Sequence, residues 1–171
     1  MSFKMFISYT SKDREKIQPF LDMLKAIHGL AYYFFEETKE IAKEVKEDVI
    51  ANLHGSDSFL VFYSKNSLQA NFVQHEIGGA ITLRKPVVIA NLDGSKPDGM
   101  LQGINYLDFY NETLFKQEID KLINWIKAKI REQQETAIVK PQQAEEFDWA
   151  GFLIVAGILA GSFYLLSKVK K

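Results

Sequence analysis

Residues 58–63 are Ser58-Phe59-Leu60-Val61-Phe62-Tyr63, apolar or aromatic at every position after the first. A strand with one face in water alternates polar and apolar residues. A run without alternation is buried on both faces, as the inner strands of a parallel sheet are. Gly55-Ser56-Asp57 before it and Ser64 after it mark its ends. Working outward, Lys4–Tyr9 (KMFISY), Leu30–Phe35 (LAYYFF) and Pro86–Ala90 (PVVIA) share this character, and Tyr106–Phe109 gives a short fifth strand. Pro86 stands at the first position of its strand, where no ladder donor is lost.

Between these runs apolar residues recur at helical spacing. Ile17, Phe20, Leu21, Leu24 and Ile27 mark a helix over 14–27, with Gly29 as its expected C-cap. Val45, Val49, Ile50 and Leu53 mark a second. A third is expected from Leu68 to Leu83, and a fourth from Leu114 to Ile130 through Ile119, Leu122, Ile123, Trp125 and Ile126. Strands and helices alternate with no internal repeat. The pattern specifies an α/β fold, a flavodoxin-like doubly wound parallel sheet of about five strands covered on both faces. Ligands in such folds sit outside the carboxyl ends of the strands. The loops after Tyr9, Phe35 and Ser64 lie on that edge.

Composition narrows the chemistry. With 21 Lys+Arg against 22 Asp+Glu in 171 residues, the chain has no basic excess for nucleic acid. It has no cysteine, which excludes disulfides, thiolate metal sites and cysteine nucleophiles and fits a reducing compartment. His28 and His54 stand near helix ends without a partner at metal spacing, so no metal site is expected. No G-x-S-x-G elbow or phosphate-binding loop occurs, and no acidic pair follows the first strand as in response regulators.

The remaining organisation is read from residue 132 onward. Residues 1–131 form the expected domain and 132–148, rich in Gln, Glu and Ala with Pro141, a flexible linker. From Trp149 to Leu166 no residue is charged. As a helix this run is ~27 Å long, close to the ~30 Å hydrocarbon core of a bilayer. Trp149 and Tyr164 sit near its ends, where interfacial aromatics are expected. Residues 149–167 are therefore an expected transmembrane helix and 168–171 a basic tail with Lys168, Lys170 and Lys171. Gly157 and Gly161, with Ala156 and Ala160, give a small-residue face suited to self-association of membrane helices. The positive tail by itself points the carboxyl terminus to the cytoplasm. The start Met1-Ser2-Phe3-Lys4-Met5 lacks a signal-peptide pattern, and this with the missing cysteines favours a cytoplasmic domain. The expectation is a single-pass, tail-anchored arrangement.

One carboxylate stands out. Phe72 and Glu76 are four residues apart and share a helix face. Glu76 falls at the margin of the apolar stripe Val73, Ile77, Ala80 and Ile81, where partial desolvation raises a carboxyl pKa. The same spacing also arises from a helix-border Glu beside a core Phe. His75 points about 100° away. Gly78-Gly79 permits a close approach, within the fold or at an interface.

The motifs then fall into a known order. Phe6-Ile7-Ser8-Tyr9-Thr10-Ser11-Lys12-Asp13 resembles the first conserved box of Toll/interleukin-1-receptor (TIR) domains. Tyr33-Phe34-Phe35-Glu36 resembles the second strand with its acidic end, and Ser56 to Ser64 the third strand with its terminal Ser. Phe72-Val73-Gln74-His75-Glu76 resembles the aromatic-x-x-x-Glu motif, and Lys85-Pro86-Val87-Val88-Ile89 the strand after it. The resemblance spans about Lys4 to Ile130 and is to prokaryotic-type TIR proteins. It implies the TIR fold and two very different activities, recruitment of other TIR domains or cleavage of NAD+ to nicotinamide and ADP-ribose or a cyclic ADP-ribose. In the enzymes the motif Glu is essential, which implies Glu76 as the catalytic residue and NAD+ as substrate with no cofactor. Phe72 takes the place of the usual Trp. Tyr9, Thr10, Ser11 and Ser64 would line the cleft, and Glu36 opens a loop that closes over the substrate from a neighbouring molecule.

This chain departs from the enzymatic pattern in three places. The loop Glu37 to Lys43 lacks the usual Gly, Thr10 and Ser11 stand where several enzymes carry Arg, and Ala70 replaces a frequent Ser. The expected function is a membrane-anchored NAD+-cleaving TIR domain activated by clustering, as in short prokaryotic antiviral-defence effectors. The alternatives are a non-enzymatic TIR adaptor at the membrane and a nucleoside-transferring enzyme of similar fold.

Overall fold

The computed structural model describes residues 2–34 and 43–139. Five strands pair in the order β2-β1-β3-β4-β5, every pair parallel: β1 (Phe3–Ser8), β2 (Leu30–Phe34), β3 (Ser58–Tyr63), β4 (Val87–Asn91) and β5 (Tyr106–Asp108). This is the flavodoxin-like order. β3 holds the centre, pairing with β1 on one side and β4 on the other, and all six of its residues are buried. Its unbroken apolar run has the cause inferred above, apolar cover on both faces.

That cover comes from two clusters. Phe3, Met5 and Ile7 of β1 point into one with Ile17, Phe20, Leu21 and Leu24 of α1 (Arg14–Lys25) and Ile119, Leu122, Ile126 and Ile130 of α5 (Phe115–Val139). Phe20 stacks on Phe109 with ring centres 4.6 Å apart. Phe6 points to the other face, with Leu53 of α2 (Lys43–Gly55) and Val73, Ile77 and Ala80 of α4 (Asn71–Thr82). A strand sends successive side chains to opposite faces, so one β-strand feeds both clusters.

The structure revises three helix boundaries. The expected helix from Leu68 is two helices. Ser64 starts the short α3 (Lys65–Leu68) with a capping box, accepting from Asn66 N and Ser67 N while Ser67 Oγ accepts from Ser64 N. Ala70 is then extended, and α4 begins at Asn71. α1 stops at Lys25, capped at Ala26, so Gly29 is not its C-cap. Gly29 instead has φ +86° in the turn into β2, where its carbonyl accepts from Phe3 N. α5 continues past Ile130 to Val139, into the segment expected to be a flexible linker. Gln, Glu and Ala are good helix formers, and no Gly or Pro intervenes before Pro141.

α4 ends in a Schellman motif, with Lys85 N bonded to Ala80 O and Arg84 N to Ile81 O. Arg84 occupies the left-handed position usually given to glycine, with φ 54°. Lys85 Nζ then donates to His54 O and Ser56 O at the carboxyl end of α2, where a cation complements the helix dipole. Gly79 settles its own question. A Cβ there would lie 2.8 Å from Leu53 Cδ2, so this glycine serves the packing of α4 on α2.

The chain divides into two compact units, Met1–Gln134 and Glu135–Lys171. Of the second, the described residues are 135–139. Among the described residues no helix is long and apolar enough to cross a membrane. The expected span 149–167 and its Gly157 and Gly161 lie outside the described residues, as does Glu36.

Candidate active site

β1 reaches the carboxyl edge of the sheet at Ser8, which shares a face with Phe6, the face covered by α4. α4 turns Val73, Ile77 and Ala80 into that cluster, and Glu76 lies among them with 5% of its surface exposed. The Ser8 hydroxyl donates to Glu76 Oε2 at 2.5 Å. Among the described residues the Glu76 side chain makes no other hydrogen bond, which leaves Oε1 uncommitted.

The electrostatics follow from that burial. Desolvation pushes the Glu76 carboxyl up to about 8, and the Ser8 bond opposes this only in part. A carboxyl poised near neutrality can change charge when a cation arrives. Tyr33 of β2 lies in its field. Burial raises that phenol first, followed by Asp48 of α2 and by Glu76 itself. Phe72, one turn before Glu76, is half-buried and packs on the same cluster. His75 is exposed, pointing away as its place on the helix requires.

A second constellation ties the first loop to the third. Asp13 is fully buried; its Oδ2 accepts from Ser64 Oγ at 2.5 Å and its Oδ1 from Asn66 Nδ2 at 2.7 Å. Ser64 Oγ therefore holds a carboxylate while it caps α3. Thr10 is buried and caps the 3-10 turn Ser11–Asp13, with Ser11 exposed on its outside. The loop after β4 is organised in the same manner. Asn91 Oδ1 accepts from Asp93 N and Gly94 N, and the Tyr63 phenol accepts from Asp98 N at 3.2 Å. Burial pushes that phenol up to about 12.

The structure thus brings Glu76 and Phe72 together on one helix face, and Thr10, Ser11 and Ser64 onto loops joined through Asp13. Tyr9 goes elsewhere. Its ring packs with Phe34 in the cluster on the opposite face, ring centres 6.0 Å apart, and its buried hydroxyl has no hydrogen-bond partner among the described residues. Burial raises that phenol's pKa, with Arg14 opposing. It does not line the face that holds Glu76. The residue that does is Ser8, which sequence reasoning passed over, with Asp13 and Asn66. The available signal was a serine closing an apolar strand at the ligand-binding edge. Among the described residues no three His, Cys, Asp or Glu side chains group as metal ligands. A groove of about 360 Å³ lined by Lys4, Tyr32, Tyr33 and Asn52, and one of about 540 Å³ beside β5 lined by Lys96, Tyr106 and Asp108, are not part of this site.

A family model described as the TIR domain matches residues 5–123. This chain belongs to the TIR family. No curated relative matches its sequence. Among solved structures, it is similar to the TIR domain of the Toll-related receptor TRR-2 from Hydra magnipapillata, with TM-score 0.59 and 17% identity over 72% of this chain and 97% of that one. It is also similar to a prokaryotic SEFIR domain, with TM-score 0.50 and 14% identity over 73% of this chain and 99% of that one. A 2-deoxyribosyltransferase from Bacillus psychrosaccharolyticus matches with TM-score 0.50 and 14% identity over 64% of this chain and 89% of that one. At these identities the likenesses describe the fold. They agree with a TIR fold.

Proposed function

We propose that this TIR domain cleaves NAD+ at the bond between nicotinamide and ribose when several copies cluster on a membrane. The observation that carries the reading is the Glu76 carboxyl, buried at the ligand-binding edge with one oxygen held by Ser8 and the other uncommitted among the described residues. In the reaction the C1′–N bond breaks, its electron pair neutralises the pyridinium, and positive charge develops on the ribose. A carboxylate in a site of low dielectric stabilises that charge and can hold the ribose hydroxyls. Water then adds at C1′ to give ADP-ribose and a proton, or an adenine nitrogen adds to give the cyclic product. The cationic nicotinamide riboside would itself draw Glu76 into its ionised form. Phe72 offers a partly exposed ring for stacking.

The membrane part of the reading rests on the uncharged run 149–167 and its lysine tail, with the TIR domain on the cytoplasmic side and Gly157 and Gly161 on the associating face. TIR domains associate with one another, and tethering raises the effective concentration of the partner surface. The test is NAD+ consumption by wild-type and Glu76→Ala protein, clustered in liposomes and dilute. Loss in clustered wild type alone is expected. No loss from folded, clustered wild type would overturn the enzymatic reading in favour of an adaptor that recruits other TIR domains. Protease added to sealed cells tests the topology, and removal of the TIR domain from outside would overturn it.

A further inference from the structure

We propose that Ser8 is the positioning residue of this site, its hydroxyl fixing Oε2 of Glu76 so that Oε1 is the edge presented to the sugar. The inference rests on the NAD+ reading for its substrate but on geometry for its mechanism. The two residues are 68 apart in sequence and meet because β1 and α4 pack through Phe6, Val73 and Ile77. Ser8 is the last residue of β1 and almost fully buried, and it pairs with Val61 of the central strand β3, so its backbone is held and its hydroxyl has a fixed origin. A free Glu side chain samples several rotamers. A short bond from a rigid donor leaves one, and a preorganised carboxylate needs no reorganisation when charge develops.

A hydroxyl donor also favours the ionised carboxylate over the acid, so it acts against the burial that favours the acid. The titratable group facing this carboxyl from β2 is Tyr33, whose own phenol is raised by burial and by the charges of Asp48 on α2 and of Glu76. On α4 itself His75 faces solvent. Ser8 is thus the group that brings the charged form within reach of neutral pH. Loss of its hydroxyl is expected to raise the titration midpoint of Glu76 by about one pH unit, a tenfold loss of rate on the acid limb.

The experiment uses the full chain, in detergent for NMR with Glu carboxyls labelled and Glu76→Gln to assign the Glu76 signal, and clustered in liposomes for nicotinamide release. Wild type and Ser8→Ala are titrated, and the pH profile of nicotinamide release is measured for both. The expected result is a higher Glu76 midpoint in Ser8→Ala, with kcat reduced about tenfold at low pH, largely regained at high pH, and KM little changed. Should Ser8→Ala fail to fold, Ser8→Cys, of similar size but a weaker donor, is read in the same way. An unmoved midpoint, or a rate loss equal at every pH, overturns the proposal. A raised midpoint in a protein that never releases nicotinamide upholds the placement of Ser8 and removes the NAD+ reading.

Discussion

Ser64 Oγ donates to Asp13 Oδ2 at 2.5 Å while accepting from the first amides of α3, so one hydroxyl joins the loop after β1 to the loop after β3. Ser64→Ala removes a helix cap, worth about 1 kcal/mol. It also leaves a buried carboxylate oxygen short of a donor, costing a further ~1–3 kcal/mol. Urea denaturation should show a loss of roughly 2–4 kcal/mol. A double-mutant cycle with Asp13→Asn should return a coupling of about 1 kcal/mol or more. A cycle that closes without coupling would mean that the two loops are held independently.

Glu76 makes stability depend on pH with a defined sign. Its carboxyl is raised to about 8 in the folded protein, from 4.5 for an unperturbed Glu. The folded state therefore holds its proton more tightly than the unfolded chain. The resulting stabilisation is complete below pH 4.5 and is lost as pH rises through the window to about 8. A separation this large corresponds to on the order of 5 kcal/mol. Glu76→Gln cannot ionise, so its stability relative to wild type should grow steadily between those limits. Denaturant midpoints at pH 5, 6.5 and 8 measure this. Parallel profiles for the two proteins would place the Glu76 titration outside the window.

A cationic ligand should drive the same proton off. On the NAD+ reading, binding of a non-hydrolysable NAD+ analogue at pH 7 releases up to one proton per site. Affinity should rise by as much as tenfold per pH unit until the Glu76 midpoint. Calorimetry in two buffers of different ionisation enthalpy counts the proton. Glu76→Gln should bind with no proton release and a flat pH dependence.

Arg84 adopts φ 54° at the end of α4, where L-residues other than Asn and Asp are strained. Arg84→Gly should relieve that strain and raise stability by about 1 kcal/mol, with NAD+ chemistry unchanged. Arg84→Val should lower it by a similar amount. Thermal melts of the three proteins give the order.

Much of this was legible in the sequence. The unbroken run from Phe59 to Tyr63 reads as an inner parallel strand, and spacing placed Glu76 beside Val73 and Ala80 at the margin of the apolar stripe, whereas the structure buries it. What stayed hidden depends on distant partners or on single-residue phase. Nothing near Ser8 in the chain announces a carboxylate 68 residues away. Ser8 and Tyr9 are neighbours whose side chains go to opposite faces of the sheet, and of the two the resemblance named Tyr9 alone. The break at Gln69 and Ala70 was masked because its cause is not a Gly or Pro but the closed ring of hydrogen bonds between Ser64 and Ser67. The end of α5 was misjudged because polarity was taken for flexibility, although Gln, Glu and Ala extend helices well.

The order of the strands has a consequence for synthesis. β1 leaves the ribosome first, yet its central partner β3 pairs Ser58 with Met5, roughly 50 residues later. At typical elongation rates that is a wait of several seconds. During it the apolar run from Met5 to Ile7 can pair only with β2, and its far side stays open. Nascent chains stalled before Tyr63 should therefore bind chaperones, and chains long enough to expose α5 should release them.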